Sequence, residues 1–75
     1  MQTFTVAGRT YRFQWASDVE FDGLRLEGLD GADVVVDVSV PTAGTMTVNT
    51  FATEAPAELI EAALDIARRD RTNWR

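Results

Sequence analysis

The side chains whose types and spacing suggest chemistry are acidic. Asp18-Val19-Glu20-Phe21-Asp22-Gly23 sets oxygen donors at alternate positions with glycine sixth, as the opening of a calcium loop does. The twelfth position of such a loop supplies a bidentate glutamate, and here it is Leu29. Its flanks read as strands rather than helices, so the expectation is a solvated acidic edge and no metal. Charges of this kind also discourage edge-to-edge aggregation.

Glu27, Asp30, Asp33 and Asp37 form a second acidic concentration. Paired carboxylates perform acid–base or glycosidic chemistry where a pocket raises the pKa of one partner. The chain has no histidine, cysteine or lysine to share such work, which leaves carboxylates, hydroxyls and Tyr11. A small strand meander offers little concavity, and turn formation and solubility account for these aspartates. The expectation is a protein that is not an enzyme and carries no cofactor.

Charge is segregated along the chain. From Phe13 to Ala67 there are 11 acidic residues and one basic residue, Arg25, a local net charge of −10. The two ends carry six arginines against Asp70, or +5, and together the segments give the overall −5. So acidic a body repels nucleic acid, although the tail Arg68, Arg69, Arg71 and Arg75 with Trp74 has the residue types to track phosphates and stack a base. It suits instead a basic groove on another protein. The candidate protein-binding residues are Asp18, Glu20, Asp22, Glu27, Asp30, Asp33, Asp37 and Trp74. On an extended helix Trp74 would share a face with Ile60 and Ala67 and fold back; otherwise it is an exposed anchor for a partner.

The elements that position these residues follow from periodicity. The 75 residues make one domain, too short for a second. Ala7-Gly8-Arg9-Thr10 fits a two-residue II′ turn, which pairs Val6 with Tyr11, Phe4 with Phe13 and Thr5 with Arg12. Asp22-Gly23 is a turn or bulge, because the apolar parity changes between Phe21 and Leu24. Val34, Val36, Val38 and Val40 take one side and Asp33, Val35, Asp37 and Ser39 the other, giving the cleanest strand. Two rules conflict at its start. Asp30-Gly31 resembles a two-residue I′ turn, yet the alternation demands an even register that pairs Leu26 with Val36 and Arg25 with Asp37. We follow the alternation.

Pro41-Thr42 and Gly44 turn the chain into a last strand, in which Met46 and Val48 face the valine row. A helix begins near Pro56, with Leu59, Ile60, Ala63, Leu64, Ile66 and Ala67 on one face and Glu58, Glu61, Asp65, Arg68 and Arg69 on the other. It is expected to end by Asp70, which would otherwise lie on the apolar face. The predicted fold is α+β: an antiparallel meander of five strands (hairpin 2–15, then 24–28, 33–40 and 45–51) with one C-terminal amphipathic helix (56–70) on one sheet face. Phe4, Val6, Tyr11, Phe13, Leu24, Leu26, Val34, Val36, Val38, Met46 and Val48 should share that face.

One helix about 10–12 Å across cannot cover a flat sheet roughly 24 Å wide. Either the meander curls into a half-barrel, or uncovered sheet meets another chain, and the short chain favours the second. Met1 leads directly into an alternating segment with no basic region ahead of an apolar run, so a cytoplasmic protein without membrane attachment is expected. The abundance of alanine, valine, arginine, aspartate and glycine suggests a GC-rich genome of the actinobacterial or phage kind. The functional expectation is a small acidic protein-interaction module of accessory or inhibitor type, binding another protein through an acidic face or open sheet. The alternative is a self-assembling homo-oligomeric subunit, such as a small phage virion or scaffold component.

Overall fold

A computed structural model of the chain describes residues 2–18, 20–51 and 54–71, and of Asp18 the backbone. The fold is α+β. Strands β1 (Gln2–Val6), β2 (Arg9–Asp18), β3 (Phe21–Asp30), β4 (Asp33–Pro41) and β5 (Thr47–Thr50) precede helix α1 (Ala57–Arg71). They form one antiparallel meander in the order β1-β2-β3-β4-β5, so β1 and β5 are its edges. The helix packs on one face of the sheet.

Alternation sorts most side chains to the two faces as the sequence implied, but the registers differ. Val34, expected on the helix side, pairs with Leu29 on the face of Arg12 and Gln14, while Val35 packs against the core. In the first hairpin Phe4 pairs with Tyr11, Thr5 with Thr10 and Val6 with Arg9. The two-residue loop is therefore Ala7-Gly8, one residue earlier than expected, with φ of 52° and 76°. Positive φ at both loop positions is the I′ pattern, whose twist matches that of the strands. The register moves by two residues, so every side chain keeps its face.

The conflict between the β3–β4 turn and the valine alternation is resolved by a β-bulge. Next to the turn, Asp30 pairs with Asp33 and Leu29 with Val34. Beyond it, Gly28 pairs with Val36, Glu27 with Asp37, Leu26 with Val38 and Arg25 with Ser39. Val35 is the extra residue between the two registers; each side keeps the parity expected of it but lies two residues from the expected pairing. The loop is not the I′ turn at Asp30-Gly31, since Ala32 lacks the positive φ that type requires. The two-residue loop is Gly31-Ala32, with Gly31 at φ 63°. Arg25 thus faces Ser39, and Asp37, its expected partner, faces Glu27.

A second irregularity lies in β3, where Ser17 pairs with Leu24 and Asp18 with Phe21. Asp22 and Gly23 are the unmatched residues, the break expected there. β3 starts at Phe21, earlier than the predicted 24, because this bulge interrupts the ladder without ending the strand.

The core is built from Tyr11, Phe13, Leu26, Val36, Val38 and Val40 against Leu59, Ala63, Ile66 and Ala67. The helix is in contact with β1, β3 and β4. Of the helix face expected inward, Leu59, Ala63, Ile66 and Ala67 are buried, and Ile60 and Leu64 are half-buried. Pro56 stands just before the helix, where its carbonyl accepts from the Leu59 and Ile60 amides at 3.0 and 3.3 Å. Its missing N–H leaves no helical bond unmade there. Helical cover weakens toward β5. Val38 is fully buried, whereas Val48, paired with it, is 37% exposed.

Candidate interaction surfaces

The face opposite the helix carries a polar row running across four strands. Gln14 pairs with Glu27, Glu27 with Asp37, and Asp37 with Asn49. Gln14 Nε2 donates to Glu27 Oε1 at 2.7 Å, and Asn49 Nδ2 donates to Asp37 Oδ1 at 3.0 Å. Two carboxylates therefore lie directly opposite each other in the middle of the row, each held from its outer side by an amide. Like charges at opposed positions on a sheet oppose folding. Asp37 is only 7% exposed, and its neighbours fix its position.

The adjoining row holds Ala16, Arg25, Ser39 and Thr47. Arg25 Nη1 donates to Ser39 Oγ at 2.6 Å, and its guanidinium carbon lies 4.5 Å from the centre of the Phe21 ring. This is the geometry of a cation–π contact, and it holds the guanidinium against Ser39 and Phe21 in the row next to the carboxylate pair. With Asp37 and Ser39 buried, the half-buried Glu27 carboxylate is the more open acceptor for a guanidinium or ammonium group laid across this face.

The remaining candidates divide between the two ends of β3. At one end Glu20 and Asp22 are exposed; Asp22 Oδ1 accepts from the Thr42 hydroxyl at 3.1 Å, and its carbonyl from the Thr42 amide at 2.9 Å. At the other end Asp30 is ion-paired with Arg9, and Asp33 is exposed. The hydrogen bond to Asp30, and then its charge, push the Arg9 guanidinium above its already high value. Arg12 Nη2 donates to the Gly31 carbonyl at 3.2 Å in the same corner. At about 3.3 Å per residue, Asp22 and Asp30 are some 26 Å apart along the strand. The acidic set is thus three separate places, and the folded hairpin brings Arg9 and Arg12 in among it. The side chain of Asp18 and all of Trp74 lie outside the described residues.

The basic end of the helix is tied to its own fold. Arg71 Nη2 donates to the carbonyls of Pro41 and Gly44 at 3.2 and 3.0 Å, and Arg69 Nη2 to Gln2 Oε1 at 3.1 Å. These bonds answer in part why arginine stands there, since a fork of donors reaches carbonyls that a single ammonium would serve less well. Trp15 Nε1 donates to Asp70 Oδ2 at 3.1 Å, beside a cleft of about 390 Å³ lined by Gln2, Phe13, Gln14, Trp15, Leu26 and Asp70.

Two features were not singled out as sites. Glu58, Glu61 and Asp65 are exposed on one side of the helix at three- and four-residue spacing, a stripe that periodicity alone could have marked. The second is apolar. Val48 and Phe51 are the exposed large hydrophobic residues among those described, at 37% and 61%, and both belong to the β5 edge. Among the described residues no group of three or more acidic side chains is placed to hold a metal, and no helix is long and apolar enough to cross a membrane. Comparison with protein-family models, curated proteins and solved structures gave no match to the chain.

Proposed function

We propose that this protein is a non-catalytic interaction module that holds a basic segment of another protein against the open face of its sheet. The observation that carries this reading is the opposed pair of half-buried Glu27 and buried Asp37 on the face away from the helix, oriented by Gln14 and Asn49. Such a pair opposes folding when alone and favours any cation that comes between its members. An arginine-bearing partner would offset the repulsion and gain charge-assisted hydrogen bonds. The overall charge of −5 would steer such a partner during encounter.

The test is an NMR titration at low salt with an arginine-rich peptide. Shifts should concentrate on Gln14, Glu27, Asp37 and Asn49, and affinity should fall as salt rises. The double change Glu27→Gln with Asp37→Asn should weaken binding about tenfold or more, whereas Glu58→Gln with Glu61→Gln should change it by less than about twofold. Shifts centred on the helix, or equal binding by the first double variant, would overturn the reading. A second reading, self-assembly, is favoured by the exposed apolar edge at β5.

A further inference from the structure

We infer that β5 is a self-association edge, pairing antiparallel with β5 of a second copy of this chain about a two-fold axis. The edge is available. β5 is the last strand of the sheet, all four of its residues are exposed, and the exposed large hydrophobic residues of the described chain, Val48 and Phe51, lie on it or beside it.

Backbone geometry fixes which groups it offers. The Phe51 amide donates to the Val35 carbonyl at 3.0 Å, so in an antiparallel ladder Thr47, Asn49 and Phe51 direct their amides and carbonyls toward β4. Val48 and Thr50 direct theirs outward. Those two residues are one apart on either side of Asn49. A two-fold axis through Asn49 therefore sets Val48 opposite Thr50 of the second copy and Thr50 opposite its Val48, each exchanging backbone hydrogen bonds. Asn49 then faces its own counterpart, and the polar row of each copy continues into that of the other.

Charge selects the occupant. The sequence has no charged residue between Asp37 and Glu54, in a chain in which 25% of residues are charged. Edge strands are ordinarily protected by charges. Two-fold pairing brings each residue near the axis close to its own copy, so any charge there meets a like charge, and a neutral strand escapes that penalty. A basic partner, by contrast, would be matched by acidic residues, and this edge has none. The other edge, β1, is less suited: Arg69 reaches across to Gln2, and α1 lies against that strand. This inference does not depend on the acidic row being a binding site.

Sedimentation of the full chain from about 10 µM to about 1 mM, with amide hydrogen exchange at both extremes, tests it. The weight-average mass should climb from 8.3 kDa toward twice that value. The Val48 and Thr50 amides should become protected only at high concentration, while those of Asn49 and Phe51 are protected throughout. Thr50→Pro removes an outward donor without touching the β4 ladder. Asn49→Lys sets two like charges at the axis while placing each beside Asp37 of its own chain. Each should weaken dimerisation about tenfold or more, with the folded monomer intact by circular dichroism. A monomer at every concentration overturns the inference. So does a dimer indifferent to both variants, which would use another surface, or growth beyond a dimer, which would join β5 of one copy to β1 of the next.

Discussion

Asp70 lies on the sheet-facing side of α1 and accepts a hydrogen bond from the Trp15 indole at 3.1 Å. Helical periodicity argues that an aspartate there should end the helix before it. Instead α1 continues to Arg71, and β2 supplies the donor that makes the carboxylate acceptable against the sheet. Arg69 donates to the other oxygen of Asp70 at 3.2 Å and to Gln2 on β1 at 3.1 Å. The end of the helix is thus latched to two strands. Asp70→Ala should lower stability by about 1–2 kcal/mol, because it leaves a half-buried indole N–H without this acceptor. Asp70→Asn keeps a carbonyl acceptor and should cost less. Thermal melts of the two variants, followed by circular dichroism, check the order.

The opposed carboxylates of Glu27 and Asp37 make a prediction of unusual sign. Glu27→Gln keeps an acceptor for Gln14 and removes a negative charge facing another. It should raise stability by a few tenths to about 1 kcal/mol at low ionic strength, with the gain shrinking as salt is added. Denaturant titrations at low and high salt measure both quantities. A loss of stability in Glu27→Gln would mean that Arg25 and the amides already neutralise the pair. The reason given above for its affinity for cations would then fail.

Strand faces were legible in the sequence except at Val34, which the bulge turns to the face away from the helix, and registers were not, for one physical reason. A period of two assigns a side chain to a face but cannot distinguish registers that differ by two residues. The first hairpin slipped by that amount without moving Phe4, Val6, Tyr11 or Phe13 off the core side. The same slip between β3 and β4 exchanged the expected Arg25–Asp37 pair for Glu27–Asp37, so the central feature of the polar row was hidden. The bulge at Val35 was visible only as a conflict between turn chemistry and alternation. Pairing of Arg9 with Asp30 brings the first hairpin against the end of β3, which linear charge segregation conceals.

The first hairpin turn holds an alanine in a conformation that alanine resists. Ala7 has φ 52°, where an L residue bearing a Cβ is disfavoured by roughly 1–2 kcal/mol. Asparagine tolerates this region and followed by glycine is the preferred I′ pair. Ala7→Asn should therefore raise stability by about 1 kcal/mol, and Ala7→Gly by less, because glycine also loosens the unfolded chain. Melting temperatures of the three proteins should rank asparagine first and alanine last.

Gly23 is where the chain has no room for any side chain. It sits in the β3 bulge at φ 151°, opposite Pro41. A Cβ there would lie 2.3 Å from the Val40 carbonyl oxygen, 2.6 Å from Pro41 Cα and 3.0 Å from Phe21 Cε2. The first two are backbone atoms of β4, so relief requires the strands to part rather than a side chain to rotate. Parting them also pulls on the Thr42–Asp22 bonds and on the Phe21 ring that Arg25 covers. Gly23→Ala should cost about 3 kcal/mol or more, a large share of the total stability of so small a domain. Gly31→Ala is the informative control, since Gly31 has φ 63° but a Cβ added there would meet nothing within 4 Å. Its cost should be the conformational one alone, about 1–2 kcal/mol. Chemical denaturation of both variants separates steric exclusion at the bulge from the general difficulty of positive φ, and equal losses would remove the steric account.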